Sequence, residues 1–180
     1  ALLDIHFVHD AMSNDLIKRF LEKVETEEII PLIPPVPETD LMSYFKLIQE
    51  RFSNPDICDT IPRLCQDGSN RQPKFILPSI EERLRRGLDV CGLALEIALW
   101  CRYCYGESES GESIFLDDNK SEQLRNNSLE ARVDPLVFIG MEEIFGELGE
   151  HPVFRERFSD ALNSIWSDGV EKTLENYLQF

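Results

Sequence analysis

The side chains most able to do chemistry in this sequence are three bases around a turn-forming stretch. Arg63, Arg71 and Lys74 flank Asp67-Gly68-Ser69-Asn70, whose residue types predict a turn. Residues 63–86 hold six bases and three acids, although the whole chain carries a net charge of −16. Such a basic segment on an acidic body attracts an anionic substrate or cofactor, or it pairs with the body's own acids. Pattern alone leaves both interpretations open: a loop that holds a ligand, and a connector with internal salt bridges.

Cysteine and histidine are the other candidate reactive groups. The chain has five cysteines, Cys58, Cys65, Cys91, Cys101 and Cys104. An odd number in a chain of this size favours reduced thiols over a disulfide framework. Cys101 and Cys104 form a lone C-x-x-C inside a helical pattern, without the second ligand pair that zinc requires, so we predict buried structural thiols. His6 and His9 lack a third spaced ligand, and we predict no metal site.

The overall charge narrows the classes of partner. With 34 acidic against 18 basic residues and a pI near 4.5, the surface repels phosphate backbones, which argues against nucleic acid and anionic membranes as partners. No apolar run approaches the roughly 20 residues of a membrane helix. The first residues lack the basic, apolar and small-residue layout of a secretory leader, so we expect a cytoplasmic protein.

The elements that must position these side chains are predicted to be helices. Apolar residues recur at helical spacing in nearly every segment, and alternating β patterns are nearly absent. The most apolar helix is predicted over 90–105 and should be central. Further helices are predicted after Pro78, over 119–131, after Pro135 and after Pro152, with a break at Gly169 before the last one. The fold class is therefore all-α, as one multi-helical domain.

Several local predictions concern the first half of the chain. We expect helix from the first residue and infer that the chain begins at a cut end, because that start has no cap. Residues 29–37 contain four prolines and predict an extended connector. The next helix should bury Leu41, Tyr44, Phe45, Ile48 and Phe52 as one stripe. A short helix should start at Asn54-Pro55 and end or kink at Pro62.

Longer motifs in the same region carry a resemblance to a known family. The chain contains R-F-S-N-P at 51–55, then R-x-x-x-D-G-S-x-x-x-P-K-F at 63–75, followed by "GLALEIALWCRYCYG" and "EEIFGEL" in order. This order resembles the C-terminal domain of the long-chain mannitol dehydrogenases over essentially all 180 residues. The resemblance implies the helical C-terminal fold of oxidoreductases similar to 6-phosphogluconate dehydrogenase.

The resemblance also implies a division of labour. Members of the family are NAD-dependent oxidoreductases that interconvert polyols or sugar acids with ketoses. An N-terminal Rossmann domain holds the cofactor, and a K-x4-N-x2-H motif performs the chemistry. Neither that motif nor a glycine-rich nucleotide loop occurs here. The resemblance therefore implies that residues 1–180 are a substrate-side domain, that no cofactor is expected in this chain, and that the chain alone does not turn over.

The resemblance maps three residues onto an Arg, a His and a Lys that contact the polyol or brace the cleft in the family. They are Arg63, Gln66 and Arg71, so Gln replaces His and Arg replaces Lys. Both replacements still donate hydrogen bonds, as hydroxyl recognition requires. The resemblance favours a neutral polyol such as D-mannitol, with D-fructose as product, and the missing Rossmann domain as the partner. The alternative from another class is a non-catalytic, acidic helical interaction module.

Overall fold

The chain folds into helices that pack around one long apolar helix. The computed structural model describes residues 1–179. Its α-helices are α1 (Val8–Ser13), α2 (Asp15–Lys23), α3 (Leu41–Phe52), α4 (Ile61–Leu64), α5 (Gly68–Phe75), α6 (Leu77–Arg85), α7 (Cys91–Cys104), α8 (Ser121–Ala131), α9 (Leu136–Ile139), α10 (Glu142–Phe145), α11 (Pro152–Asp168) and α12 (Val170–Gln179). Within these residues the only β pairing is two isolated bridges, so the all-α prediction is confirmed.

Helix α7 is the centre of the core, as the sequence predicted. Eleven of its fourteen residues are buried, which requires apolar side chains around most of its circumference. Its principal neighbour is α11, which presents Phe154, Phe158, Leu162 and Ile165 from one face. Gly169, at φ 87°, ends α11 and allows α12 to fold back.

The N-terminus of α7 is capped from a distant part of the chain. Residues Val24–Ile29 form a π-helix directly after α2, and it delivers the buried Glu28 to the start of α7. The Glu28 carboxylate accepts hydrogen bonds from the backbone N–H groups of Gly92 (2.6 Å) and Leu93 (3.1 Å). Burial raises the pKa of Glu28, while these two bonds and the nearby Arg83 guanidinium lower it. The π-helix thus fixes the position of the central helix.

Two predictions about the N-terminal part of the chain are wrong. Residues 1–7 are not helical: Asp4 is left-handed (φ 57°), and Phe7 pairs with Thr60 in a β-bridge. The N–H of Val8 donates to the carbonyl of Asp59, and the N–H of Ile61 donates to the carbonyl of His6. These bonds to a distant segment replace the bonds of a helix start, whose first N–H groups would have no partner. The segment 29–37 is only partly extended, because Ile30–Leu32 forms a 3₁₀-helix with a proline in its first turn.

Helix α3 forms where predicted, but its apolar side chains are not buried. Asp40 caps it by accepting from the backbone N–H of Met42. None of its twelve residues is buried, and Tyr44 is 56% exposed, so the predicted buried stripe is wrong. Within residues 1–179, the main neighbours of α3 are α1 and the short 3₁₀-helix at Pro55–Ile57. An apolar helix face therefore lies on the surface.

The region 54–75 also differs from its prediction. Asn54 caps a single 3₁₀ turn, and Pro62 then lies in the first turn of α4 instead of ending a helix. A proline is well accommodated there, because the first-turn N–H groups have no helical partner. The predicted turn at 67–70 is wrong as well. Gly68 begins α5, and Asp67 precedes it in the left-handed conformation with φ 57°.

The cysteines are unpaired among the described residues. Cys101 and Cys104 are fully buried, which confirms the prediction of structural thiols. Burial raises the pKa of both thiols well above the ordinary value. In the part of the chain that the structure describes, no helix combines the length and apolar character that a membrane span requires.

Candidate functional site

A cavity of about 370 Å³ lies between the N-terminal segment, the α4–α5 corner and helix α7. We call it the central cavity. Its walls are mostly apolar, and its polar or reactive side chains are Cys65, Gln66, Arg71, Gln72, Glu96, Trp100 and Tyr103. Apolar walls with a few converging polar groups, at a volume of this order, are typical of small-molecule sites. The central cavity is therefore the candidate site.

The structure brings two of the three predicted substrate residues to this cavity. Gln66 and Arg71 both line it, and both side chains are exposed at its mouth. Arg63 does not line it. It lies on a neighbouring surface cavity of about 350 Å³, where its guanidinium forms a two-bond ion pair with Asp59. That pairing lowers the pKa of Asp59.

The α4–α5 corner is held by two carboxylates that precede α8. Asp117 accepts a hydrogen bond from Gln66 Nε2 at 2.6 Å, and its backbone carbonyl accepts from the N–H of Asp67. Asp118 accepts from both the backbone N–H and the hydroxyl of Ser69, at 2.8 and 2.7 Å. It thus caps α5 from another part of the chain. These tertiary bonds explain why a turn-forming sequence adopts a helix.

Glycine at the start of α5 is required by close packing. A Cβ atom added at Gly68 would lie 2.6 Å from Nε1 of Trp100, nearer than real Cβ contacts allow. Both residues line the central cavity. The Asp-Gly-Ser sequence therefore lets the indole of α7 approach the corner that carries Gln66 and Arg71.

A carboxyl and an amide form the inner polar wall of the cavity. Gln72 Nε2 donates a hydrogen bond to Glu96 Oε1 at 2.9 Å. Gln72 Oε1 and Glu96 Oε2 are both buried and have no hydrogen-bond partner among the described residues. Part of the Glu96 side chain borders the cavity, yet the carboxyl is enclosed by protein, and this desolvation raises its pKa to about 7.

Cys65 and Tyr103 are the remaining titratable side chains on the cavity wall. Burial raises the pKa of the Cys65 thiol, and it raises the pKa of the Tyr103 hydroxyl too. Both groups are therefore shifted toward their neutral forms, which leaves Arg71 as the principal charge at the cavity.

The basic segment 63–86 is largely neutralised by the protein's own acids. Arg85 and Arg86 both bond Glu82 and hold its pKa at about 2. Arg83 is buried, donates to the backbone carbonyls of residues 27, 28 and 89, and lies 3.9 Å from Glu28. Of the two open interpretations, internal pairing therefore accounts for most of these bases.

The described residues offer neither a group of metal ligands nor the structural unit that holds a dinucleotide. Among residues 1–179, no group of three or more His, Cys, Asp or Glu side chains is placed to hold a metal ion. The same residues contain no strand–loop–helix unit, which is the element that holds a dinucleotide pyrophosphate at a helix N-terminus. No reaction step through a cofactor is derived from this chain.

Glu96, Gln72, Asp117 and Asp118 were not identified as site residues from the sequence. A signal existed for Glu96, which is the only acid within the apolar run "GLALEIALW". A lone acid in a buried helix predicts a paired or functional carboxyl. Gln72 directly follows Arg71 in the same motif, whereas nothing in the local pattern indicated that Asp117 and Asp118 lie near Gln66.

Comparison with known proteins identifies relatives over almost the whole chain. Residues 1–166 match the family model described as the mannitol dehydrogenase C-terminal domain. A mannitol 2-dehydrogenase of Cereibacter sphaeroides is 46% identical over 99% of this chain and 37% of its own length. One of Aspergillus terreus is 34% identical over 96% of this chain and 34% of its own length. The chain thus spans about a third of the relatives that it matches.

Solved structures have the same fold. The mannitol 2-dehydrogenase of Pseudomonas fluorescens, in ternary complex with NAD and D-mannitol, superposes with a TM-score of 0.91 at 31% identity. It covers 99% of this chain, which corresponds to 36% of that structure. A substrate-free D-sorbitol dehydrogenase has a TM-score of 0.83 at 16% identity, covering 96% of this chain and 36% of that one, which shows likeness of fold alone.

Proposed function

The chain belongs to the mannitol dehydrogenase family as its C-terminal domain, and from this premise we propose that it forms the substrate-binding side of an NAD-dependent polyol dehydrogenase. The proposed reaction interconverts D-mannitol and D-fructose in the cytoplasm. The proposed boundaries are residues 1–180 for this domain, with the cofactor on a separate N-terminal Rossmann domain of the natural protein. The observation that carries the proposal is that Gln66 and Arg71 converge on one cavity of suitable size.

The two residues at the cavity mouth are chemically suited to a polyol. Gln66 offers both an amide donor and an acceptor, and Asp117 fixes its orientation at 2.6 Å. Arg71 donates one bond to the Leu64 carbonyl at 2.8 Å, which leaves further N–H groups of its planar fork for vicinal hydroxyls. Restrained donors lose little conformational freedom on binding, so they favour affinity and a defined substrate orientation.

Arg63 takes the second of the two expected roles under this proposal, that of bracing the cleft. Its ion pair with Asp59 and its position on the neighbouring cavity suit a residue that braces the corner. A residue in this role orients α4 and the chain leading to Gln66 without touching the substrate. The proposed role of this chain is therefore substrate binding and orientation, while proton and hydride transfer belong to the natural protein's other parts.

The same proposal supplies a partner for the exposed face of α3. Met42, Tyr44 and Leu47 are 39%, 56% and 60% exposed, and together they present apolar surface that isolated domains tend to cover. We propose that the cofactor-binding domain packs on this face. The substitution Leu47→Asp in the natural protein should then separate the domains and lower activity, whereas Lys46→Asp on the same helix should do less. Equal activities of the two variants would remove α3 from the domain interface.

Steady-state kinetics of the natural protein that carries this chain test the function. It should reduce D-fructose with NADH, and Arg71→Ala should lower kcat/KM by about 10-fold to 100-fold, the effect of losing one to two hydrogen bonds from a charged donor. Lys74→Ala is the matched control, because Lys74 is an exposed base on the same helix that does not line the cavity.

Two further variants test whether the residues found in the family can replace Gln66 and Arg71. Arg71→Lys and Gln66→His introduce the residues that the family carries at these positions and keep a hydrogen-bond donor there, so both should retain activity within about 10-fold. If the wild-type protein fails to reduce D-fructose or to oxidise D-mannitol with either nicotinamide cofactor, the proposal is wrong. The non-catalytic interaction module would then be the remaining candidate.

A further inference from the structure

Two buried hydrogen-bond acceptors that lack donors lie directly behind the inner wall of the central cavity. Gln72 is 9% exposed, and its Oε1 atom has no partner among the described residues, while Glu96 Oε2 is likewise buried and unpaired. Leaving such oxygens unbonded is destabilising, so native proteins rarely do so. A hydrogen-bond donor that enters the cavity can satisfy both oxygens once the terminal groups of the two side chains rotate toward it.

The two residues are held in place for such a donor. The bond from Gln72 Nε2 to Glu96 Oε1 (2.9 Å) fixes which amide atom is the donor, and so it leaves the amide oxygen as an acceptor. Gln72 is on α5 and Glu96 on α7, and these two helices form different walls of the central cavity. The last torsion of a Glu side chain is soft, so a small rotation presents Oε2 to the cavity.

The geometry points to a second hydroxyl-binding subsite at the Gln72–Glu96 pair, which takes the terminal hydroxyl of a polyol at the end remote from the reacting carbon. This inference rests on the proposed function. Gln72 follows Arg71 directly in α5, and both side chains line the same cavity as Gln66. One polyol chain can therefore place hydroxyls on Gln66 and Arg71 at the mouth and on the acceptor pair at the inner wall.

The charge around the pair fits a neutral donor. Besides Arg71 and Glu96, the titratable groups that border the cavity are the Cys65 thiol and the Tyr103 hydroxyl. Burial shifts the pKa of both toward the neutral form, and the raised pKa of Glu96 weakens the attraction for a cation at neutral pH. A hydroxyl satisfies the acceptors without bringing an unpaired charge into an apolar cavity.

Substrate analogues that lack one hydroxyl test the subsite in the natural protein. The wild type should prefer D-fructose over 6-deoxy-D-fructose in kcat/KM, and Gln72→Met should lower this preference by about 10-fold, the effect of one hydrogen bond. Glu96→Met should have the same effect, and either variant suffices if the other does not fold. A purely structural defect would slow both substrates equally and leave the ratio unchanged. Gln123→Met is the matched control, because Gln123 is an exposed residue of α8.

A binding measurement tests the subsite independently of the proposed reaction. Calorimetry without cofactor should give tighter binding of D-mannitol than of 1,6-dideoxy-D-mannitol, which lacks the hydroxyl at both ends of this two-fold symmetric polyol, and Gln72→Met should reduce the difference. That result supports the subsite even if the protein does not oxidise D-mannitol. Equal binding of the two polyols by the wild type, or a wild-type preference retained in both variants, overturns the subsite while leaving a measured turnover intact.

Discussion

The substitution Glu96→Gln should change the stability of the protein in a way that depends on pH. The free energy of unfolding of the variant minus that of the wild type should be larger at alkaline pH than at acid pH. Desolvation raises the pKa of Glu96 from 4.5 to about 7. Between these two values the folded state binds a proton that the unfolded state has released, so folding becomes more favourable as the pH falls. The ionised carboxylate is fully destabilising only above about pH 7.

The expected size follows from the difference between the two pKa values. Each pH unit of difference is worth about 1.4 kcal/mol, so Glu96 changes the free energy of unfolding by about 3 kcal/mol between pH 4 and pH 8. For a domain of this size, that corresponds to roughly 6–12 °C in Tm. Glutamine keeps the shape of the side chain and does not titrate, so it removes this contribution.

Urea unfolding of the wild type and the variant at pH 4, 5, 6, 7 and 8 measures the effect. The stability of Glu96→Gln minus that of the wild type should rise by about 3 kcal/mol across the series, and subtraction cancels groups that titrate in both proteins. Glu156→Gln is the control, since Glu156 is an exposed acid in the middle of α11. A difference that stays flat from pH 5 to pH 8 would refute the assignment of a desolvated carboxyl at Glu96.

Three further outcomes follow from the packing. Gly68→Ala should destabilise the protein by about 1–3 kcal/mol and alter the fluorescence of Trp100, because the new methyl group meets the indole; unchanged stability would contradict this contact. Glu28→Ala should cost about 3 kcal/mol by uncapping α7, and a loss under 1 kcal/mol would show that the cap is dispensable. A thiol reagent should modify the exposed Cys58 and Cys91 rapidly in the folded protein, and equally fast modification of Cys101 and Cys104 would contradict the burial of these two thiols.

Local periodicity was sufficient to predict the central part of the fold. Helices α7 and α11 follow from apolar residues at helical spacing, and their ends follow from proline and glycine, which act within a few residues. The start of the chain was mispredicted because the partners that decide its conformation are distant in the sequence. Its backbone groups are satisfied by residues 59–61, and no local pattern records such a distant partner.

The candidate site was predicted only in part. The motif at 63–75 led to Gln66 and Arg71, which do share the central cavity. Arg63 lies elsewhere because Asp59, one turn earlier, draws its guanidinium away from that cavity. The helical form of the corner depends on Asp118, which is 49 residues away from the Ser69 it caps. Tertiary hydrogen bonds of this kind override the turn propensity of the local sequence.

The central claim is that the central cavity binds the polyol, and hydrogen exchange of the natural protein tests it most directly. Adding D-mannitol in the presence of NAD should slow amide exchange in the α4–α5 corner, over residues 63–72, and at the adjoining Asp117 and Asp118. The distant surface around Cys91 should not change, because it lies at the other end of α7. Protection that is absent from the corner, or that is centred on Cys91 instead, would contradict the claim.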